Sequence, residues 1–241
     1  MLHTRGIIFR SIKYGETSVI ADIFTEDKGL RSFIGGSVRT AKSRMPFSLF
    51  QPMMVVDLVA YFRDADGHLN RLKEMRASEI FQKIPFDIKR GAIALFMAEI
   101  CQKSIHVGEE NPELFDFLLD QLHWLDSTPH PIANQHLHFL LHLSGFLGFQ
   151  PQGEANGPVF FDLQEGVFLA EAPPHTLYLQ PEQAMPLLDL LNSPLAQCHE
   201  VALSRSERKA LLRGLLQFYQ LHVPGFTEIN TPAVLEMVMD H

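Results

Sequence analysis

The sequence predicts an α+β protein in which a five-stranded β-barrel is followed by an α-helical domain with a small β-hairpin insertion. Short β-branched and aromatic runs separated by turn residues fill the chain up to about residue 80. After Pro85, the apolar residues instead recur with the 3.6-residue period of helices. The 241 residues are 46% hydrophobic and 20% charged, which suits a chain with a buried core and excludes disordered and fibrous proteins. We therefore expect a barrel domain over residues 1–80 and a helical domain over residues 81–241.

Five strands are predicted in the first domain. The first three are antiparallel and follow one another through turns at Gly15 and at Gly29, and the last two are joined at Asp64–Gly67. Five strands in about 75 residues favour a barrel of the OB type over a sandwich, which needs about seven. Another five-stranded barrel, such as an SH3-like one, is the alternative. The predicted strands are Thr4–Lys13, Ser18–Thr25, Leu30–Val38, Ser48–Phe62 and His68–Ile80.

The second domain begins with three predicted helices. The first spans Asp87–Lys103 and is apolar on nearly all sides, as expected of a buried helix. The second starts with Asn111 as N-cap and Pro112 as first helical residue, and the third spans Ile132–Leu147. One face of the second helix carries a leucine stripe, formed by Leu114, Leu118, Leu122 and Leu125.

A loop-rich segment, residues 149–179, interrupts the helices. Two short runs within it, Val159–Asp162 and Val167–Ala170, predict a β-hairpin insertion. Helical patterns return over Pro181–Leu191 and from Ser204, where Ser204 and Glu207 have the spacing of a capping box. The last predicted helix ends at Pro224-Gly225.

Charge is distributed unevenly along the chain, although the net charge is −8. Residues 1–80 carry 12 Lys and Arg against 9 Asp and Glu, whereas the remaining residues carry 8 against 19. From Lys28 to Val56 there are five basic residues and no acidic one. This imbalance indicates that the barrel faces a polyanion. The residues expected to contact nucleic-acid phosphates are Arg31, Arg39, Lys42 and Arg44. Arg10 and Lys13 on the first strand, and Arg71, Lys73 and Arg76 on the last, would extend this set.

Signatures of catalysis are missing from the sequence. It contains none of the glycine-rich phosphate-binding motifs, no nucleophile elbow and no His-Glu-x-x-His zinc motif. His136, His138 and His142 lie on one predicted helix, and His138 and His142, four residues apart, would project from the same side as zinc ligands can. A metal-dependent hydrolase is therefore kept as an alternative, although a third ligand beside this pair and a general base are not evident. Two cysteines, Cys101 and Cys198, cannot form a disulfide framework. We expect no enzyme activity, no metal and no cofactor.

Several segments resemble the RecO family of recombination mediators and DNA repair proteins. The resemblance covers the whole chain. Its most telling segments are Thr4–Ser18, Phe24–Leu30, Gly36–Arg44 and Leu49–Pro52. It implies a protein with an N-terminal OB domain and a helical domain that binds single- and double-stranded DNA and anneals complementary strands. It further implies that RecR and the C-terminal tail of single-strand DNA-binding protein (SSB) are partners in loading recombinase.

The resemblance assigns the DNA-facing basic loop to Arg39, Lys42 and Arg44, and Arg31 less directly. Many family members carry a four-cysteine zinc insertion, whereas residues 149–170 here contain no Cys, so we predict no zinc. The cationic contacts for the SSB tail are expected on the last predicted helix, at Arg205, Arg208, Lys209 and Arg213. An RNA-binding OB adaptor is the remaining alternative. With no targeting or membrane segment apparent, we expect a cytoplasmic, nucleoid-associated protein.

Overall fold

The computed structural model describes residues 1–38, 43, 45–65, 67–154, 157 and 159–239. Contacts between Cα atoms divide the chain into two compact units, residues 1–127 and residues 128–241. The first unit therefore holds two helices in addition to the barrel.

Five strands close into a barrel in the order β1-β2-β3-β5-β4, with β4 returning to β1. All neighbouring strands are antiparallel except β3 and β5, which run parallel over two residue pairs. This is an OB-type barrel, as the strand count predicts, and not the SH3-like alternative. The strands are β1 (Leu2–Tyr14), β2 (Ser18–Thr25), β3 (Gly29–Gly35), β4 (Val55–Tyr61) and β5 (Asn70–Ala77).

The barrel interior is filled by alternate residues of each strand, the pattern that gives a strand one buried face. Val19, Ala21 and Ile23 of β2 are buried there, as is Phe33 of β3. The connection between β3 and β4 also contributes to this core. Val38, Met45 and Phe50 are buried in it, so both ends of the intervening basic segment are anchored in the barrel.

One predicted strand, Ser48–Phe62, is wrong in its first half. Phe47–Phe50 forms a 3₁₀ turn, and β4 starts only at Val55. Pro52 lacks an N–H for a strand ladder, and Met53 has a φ of 62°, which no strand residue adopts. The prediction was too long because the residues of this turn are apolar, like those of a strand. Their apolar side chains, such as Phe50, pack into the barrel core from the turn.

Two helices, α1 (Ile88–Ser104) and α2 (Pro112–Ser127), complete the first unit. The carboxylate of Asp87 caps α1 by accepting from the N–H groups of Lys89 and Arg90, and Asn111 Oδ1 accepts from Leu114 N at the start of α2. The predicted Asn111 cap is confirmed. The four leucines predicted to line one face of α2 are all buried.

Aromatic stacking joins these helices to the outside of the barrel. The rings of Phe9 and Phe24 stack with their centroids 5.7 Å apart, and Phe24 stacks on Phe115 of α2 at 6.2 Å. The α1–α2 connection also runs along β3, where Gly108 N donates to Leu30 O at 3.1 Å. Helix α2 and the α1–α2 connection thereby cover the outer surface of the barrel at Phe24 and Leu30.

The second unit packs helices against a small sheet. Its sheet has the order β7-β6-β8, so the predicted hairpin is confirmed and gains a third strand. Ser204 and Glu207 form the predicted capping box, whereas the last helix was not predicted. The elements are α3 (Gln135–Phe146), β6 (Phe160–Asp162), β7 (Val167–Leu169), β8 (Tyr178–Leu179), α4 (Pro181–Asn192), a 3₁₀ turn (Leu195–Glu200), α5 (Arg205–His222) and α6 (Thr231–Met239).

None of the helices in the described ranges is long and apolar enough to cross a membrane.

Candidate nucleic-acid interface

The two predicted cations of β1 are exposed, but they lie on different faces of the strand. Lys13 is the register partner of Val19, which is buried in the barrel core, so Lys13 extends from the interior face at the end of the barrel. Arg10 is the partner of Asp22 and lies on the outer face, beyond a bulge between Ile8 and Arg10. Neither cation pairs with a carboxylate within the described ranges. Both are therefore available to an anionic ligand.

Arg31 has different surroundings. Its side chain is only 6% exposed, and its Nη2 donates to Asp64 Oδ1 in the β4–β5 connection at 2.8 Å. The guanidinium also lies over the ring of Phe62 and against Gly108. A side chain so enclosed offers little surface to a polyanion. Arg31 instead joins β3 to the β4–β5 connection through Asp64 and to the segment after α1 through Gly108.

Arg39, Lys42 and Arg44 lie outside the described residues. The residues that flank them are described: Val38 is 2% exposed, Met45 is 8% exposed, and both pack into the barrel core. Val38 follows β3, whose last residue, Gly35, is the partner of Val19. Lys13 pairs with the same Val19 from the other side. The basic segment therefore joins the barrel at the end that carries Lys13.

Three cations of β5 differ in their availability. Arg76 Nε pairs with Asp57 at 3.2 Å, and Lys73 Nζ lies 3.4 Å from Glu74. Arg71 is exposed and makes no ion pair with any carboxylate that the structure describes. Arg63 in the β4–β5 connection, which sequence reasoning did not single out, is similarly exposed. In the sequence, only its position beside the predicted Asp64–Gly67 loop could have indicated Arg63 as a ligand-binding residue.

The expected partner-binding residues on α5 come together in part. Arg205, Arg208 and Lys209 line a small pocket between α5 and α6, whereas Arg213 is exposed on α5 and does not line it. Leu212 and Leu235 supply apolar walls to the same pocket. Lys209 Nζ pairs with Glu236 of α6 at 2.6 Å, and Arg208 donates to Leu203 O at 2.5 Å. The pocket thus has leucine walls and a rim of three basic side chains, and the carboxylate of Glu236 lies beside one of them, Lys209.

The histidines of α3 do not assemble into a metal site. His138 and His142 are close neighbours with ring centroids 4.1 Å apart, and His138 Nε2 lies 3.0 Å from Ser193 O. Burial lowers the pKa of His136 and of His138 to about 4, so both are neutral at pH 7. The described part of the chain holds no group of three or more His, Cys, Asp or Glu arranged for a metal ion.

The two thiols are buried and unreactive. Burial raises the pKa of Cys101, and it raises that of Cys198 to about 11, so neither is a thiolate at neutral pH. Neither lies in the insertion, so the chain offers no thiolates for a four-cysteine zinc site there. Asp162 instead organises this insertion by accepting from Gln164 N, Glu165 N and His175 Nε2.

Comparisons with known proteins find the same family over almost the full length of the chain. A family model described as Recombination protein O N terminal matches residues 1–81, and one described as Recombination protein O C terminal matches residues 85–228. A DNA repair protein RecO of Bacteroides fragilis is 34% identical over 239 residues, with 98% of each chain covered. Proteins of the same name from Phocaeicola vulgatus and Flavobacterium psychrophilum are each 33% identical, with 97% and 98% of each chain covered, respectively.

Proposed function

The chain belongs to the RecO family of DNA repair proteins, and from this premise we propose that it is a non-enzymatic DNA-binding mediator of recombination. In this proposal it binds single- and double-stranded DNA, anneals complementary strands and, with RecR, helps to load recombinase onto DNA coated by SSB. Family membership supports the partners, and the barrel supports the DNA contact.

The observation that supports DNA binding is the exposed Lys13 at the end of the barrel from which the basic segment leaves β3. Lys13 has no acidic partner among the described residues, and the residues that flank Arg39, Lys42 and Arg44, namely Val38 and Met45, are buried in the barrel core. OB barrels bind oligonucleotides with such loops and cationic side chains. Arg10 extends the cationic surface along β1.

Annealing requires no bond to be made or broken by the protein. Two single strands repel each other through their phosphates, and cations that neutralise some of these phosphates reduce this repulsion. A shallow surface leaves the bases free to pair. We therefore assign annealing to the basic end of the barrel.

The test of this proposal is a salt titration of DNA binding with Arg39, Lys42 and Arg44 changed together to Ala. If each cation neutralises one phosphate, the slope of log K against log[salt] becomes less negative by roughly 2 for single strands and roughly 2.7 for duplex DNA. The control changes three cations outside the barrel strands and their connections, Lys83, Lys89 and Arg213, to Ala. An unchanged slope in the first variant would remove the basic segment from the site.

The α5–α6 pocket supports the proposed binding of the SSB tail. An acidic peptide with an apolar end matches a pocket with leucine walls and a rim of Arg205 and Lys209, and its carboxylate would replace Glu236 as the partner of Lys209. We expect Arg205→Ala and Lys209→Ala to weaken binding of an SSB tail peptide. Arg213→Ala is the matched control because Arg213 lies outside the pocket. Equal losses in all three variants would contradict this site.

Competition between DNA and RNA of one sequence tests the adaptor alternative. Only a site that reads the 2′-hydroxyl group prefers RNA. We expect no preference for RNA, since the contacts proposed here are made to phosphates.

A further inference from the structure

One residue from each strand forms a continuous row of cross-strand partners around the barrel. Ile12 of β1 pairs with Ile20 of β2, and Ile20 pairs with Ile34 of β3. Ile34 is the partner of Arg71 of β5, which in turn pairs with Tyr61 of β4. We call these five residues the cross-barrel row.

The cross-barrel row lies on the outer surface. Its strand neighbours Val19, Phe33, Leu72 and Ala60 are buried in the barrel core, and successive side chains of a strand point to opposite faces. Tyr61 is 56% exposed and Ile12 is 43% exposed, while Ile20 and Ile34 are half-buried between them. Helices cover the other end of this face, where Phe9 and Phe24 lie, and leave the row open.

The chemistry of the row changes from apolar to aromatic and cationic. Tyr61 and Arg71 line an open groove of about 490 Å³ together with Leu72 and Lys73. Arg71 has no acidic partner among the described residues. An exposed ring beside an unpaired guanidinium provides a stacking surface for a base and a partner for its phosphate.

We propose that the cross-barrel row is a track for unpaired bases, in which Tyr61 stacks on a base and Arg71 contacts the adjacent phosphate. This inference rests on the proposed DNA binding and specifies which form of DNA the barrel face takes. Bases in a duplex are stacked and paired, so they cannot lie on Tyr61, whereas bases of a single strand can. The half-buried isoleucines continue the track as an apolar floor.

A carboxylate beside the row determines where the phosphates run. Asp22 lies two residues from Ile20 on the same outward face as Arg10, and it accepts from Ser32 Oγ at 2.7 Å. A phosphate over Asp22 would be repelled. The sugar-phosphate backbone therefore follows Arg71, and the bases face the isoleucines.

The experiment compares Tyr61→Ala with Tyr61→Phe in the full chain. Loss of one stacked base predicts that Tyr61→Ala weakens binding of an oligothymidine by about tenfold, while duplex binding and the salt slope stay the same. Tyr61→Phe retains the ring and should bind as the wild type does. The control is Phe86→Ala, which removes an aromatic ring that is 84% exposed outside the row.

An abasic strand of the same length separates stacking from charge. Wild type and Tyr61→Ala should bind it equally, because it offers phosphates without bases. An equal loss for oligothymidine, duplex and abasic strand in Tyr61→Ala would overturn the proposal, as would no loss for any of them. If wild type binds no DNA in a salt-dependent manner, the proposed function itself fails. If binding is salt-dependent but indifferent to Tyr61, only the base track fails.

A fluorescent variant provides a reading that does not depend on lost affinity. The chain has one Trp, Trp124, so Tyr61→Trp combined with Trp124→Phe places a single indole in the row. Oligothymidine should quench this indole, and the abasic strand should not. An indole unaffected by bound oligothymidine, or one quenched equally by both strands, would contradict stacking at this position.

Discussion

Arg31 illustrates how a cation in a basic run becomes a structural residue. It is buried on β3 and pairs with Asp64, whose own side chain is largely exposed in the β4–β5 connection. We infer that the pair holds this connection against β3. Its contribution lies in positioning the loop.

The variant Asp64→Ala tests this role. Removing a hydrogen bond to a charged group should lower the free energy of unfolding by about 1–3 kcal/mol, measured by urea denaturation. The salt slope of DNA binding should stay unchanged, because Arg31 remains enclosed. A slope steeper by about one phosphate would show that Arg31, once released, contacts DNA.

The buried histidines make the stability of the second unit sensitive to acid. His136 and His138 have a pKa of about 4 in the folded chain because of burial, compared with about 6.5 in an unfolded chain. The unfolded chain therefore binds more protons below pH 6.5. The stability from neutral burial is complete above this pH and is lost as the pH falls towards 4.

We expect the melting temperature to fall steadily between pH 6.5 and pH 4. His138→Gln should flatten this dependence, since an amide does not titrate and can still donate to Ser193 O. Calorimetry of both proteins across this range gives the comparison. A parallel decline in the two proteins would assign the acid sensitivity to other groups.

At the scale of elements, the β2–β3 turn is fixed by contact with another part of the chain. Gly29 has a φ of 59°, and a Cβ atom at this position would overlap the carbonyl group of Glu109. Gly15, in the β1–β2 turn, has nearly the same φ of 60° but open space around it. The two glycines differ in crowding and share their backbone conformation.

This pair gives a matched comparison. Gly15→Ala should cost only the left-handed conformation, about 1–2 kcal/mol of unfolding free energy. Gly29→Ala should cost more, because the α1–α2 connection must also move away from β3. Chemical denaturation of both variants measures the difference, and equal losses would show that the connection yields freely.

Elements with local signals could be predicted from the sequence. Ser204 and Glu207 predict the start of α5, and Asn111-Pro112 predicts the start of α2. Both signals are visible in the sequence because a helix cap is formed by residues that are neighbours in the chain. β8 has two residues and exists only through pairing with β6, a contact that no local pattern specifies. The candidate site divides in the same way: the sequence indicates cations, but the burial of Arg31 arises from Asp64 and Gly108, which are distant in the chain.

At the scale of the whole molecule, the boundary of the barrel domain has a physical test. The sequence predicts a domain ending at residue 80, and the family models separate at residues 81 and 85, but contacts group residues 1–127. Phe24 stacks on Phe115 of α2, Phe9 stacks on Phe24, and both rings are buried. A fragment ending at residue 80 exposes both rings to water.

We expect residues 1–127 to unfold cooperatively and at a higher temperature than residues 1–80. Circular dichroism melts of the two fragments measure this difference. Equal midpoints would show that the barrel needs no support from α1 and α2, and would favour the boundary at residue 80.

The short seam of the barrel has a consequence for association between molecules. β3 and β5 share only the pairs Phe33–Asn70 and Ile34–Arg71, so the first half of β3, which pairs with β2 on one side, has no barrel strand on the side that faces β5. Val107 and Gly108 occupy this position, and Gly108 N uses the carbonyl of Leu30. Exposed strand edges recruit strands from other chains. The α1–α2 connection thus protects the open edge, and a chain lacking it should form intermolecular β-pairs and aggregate.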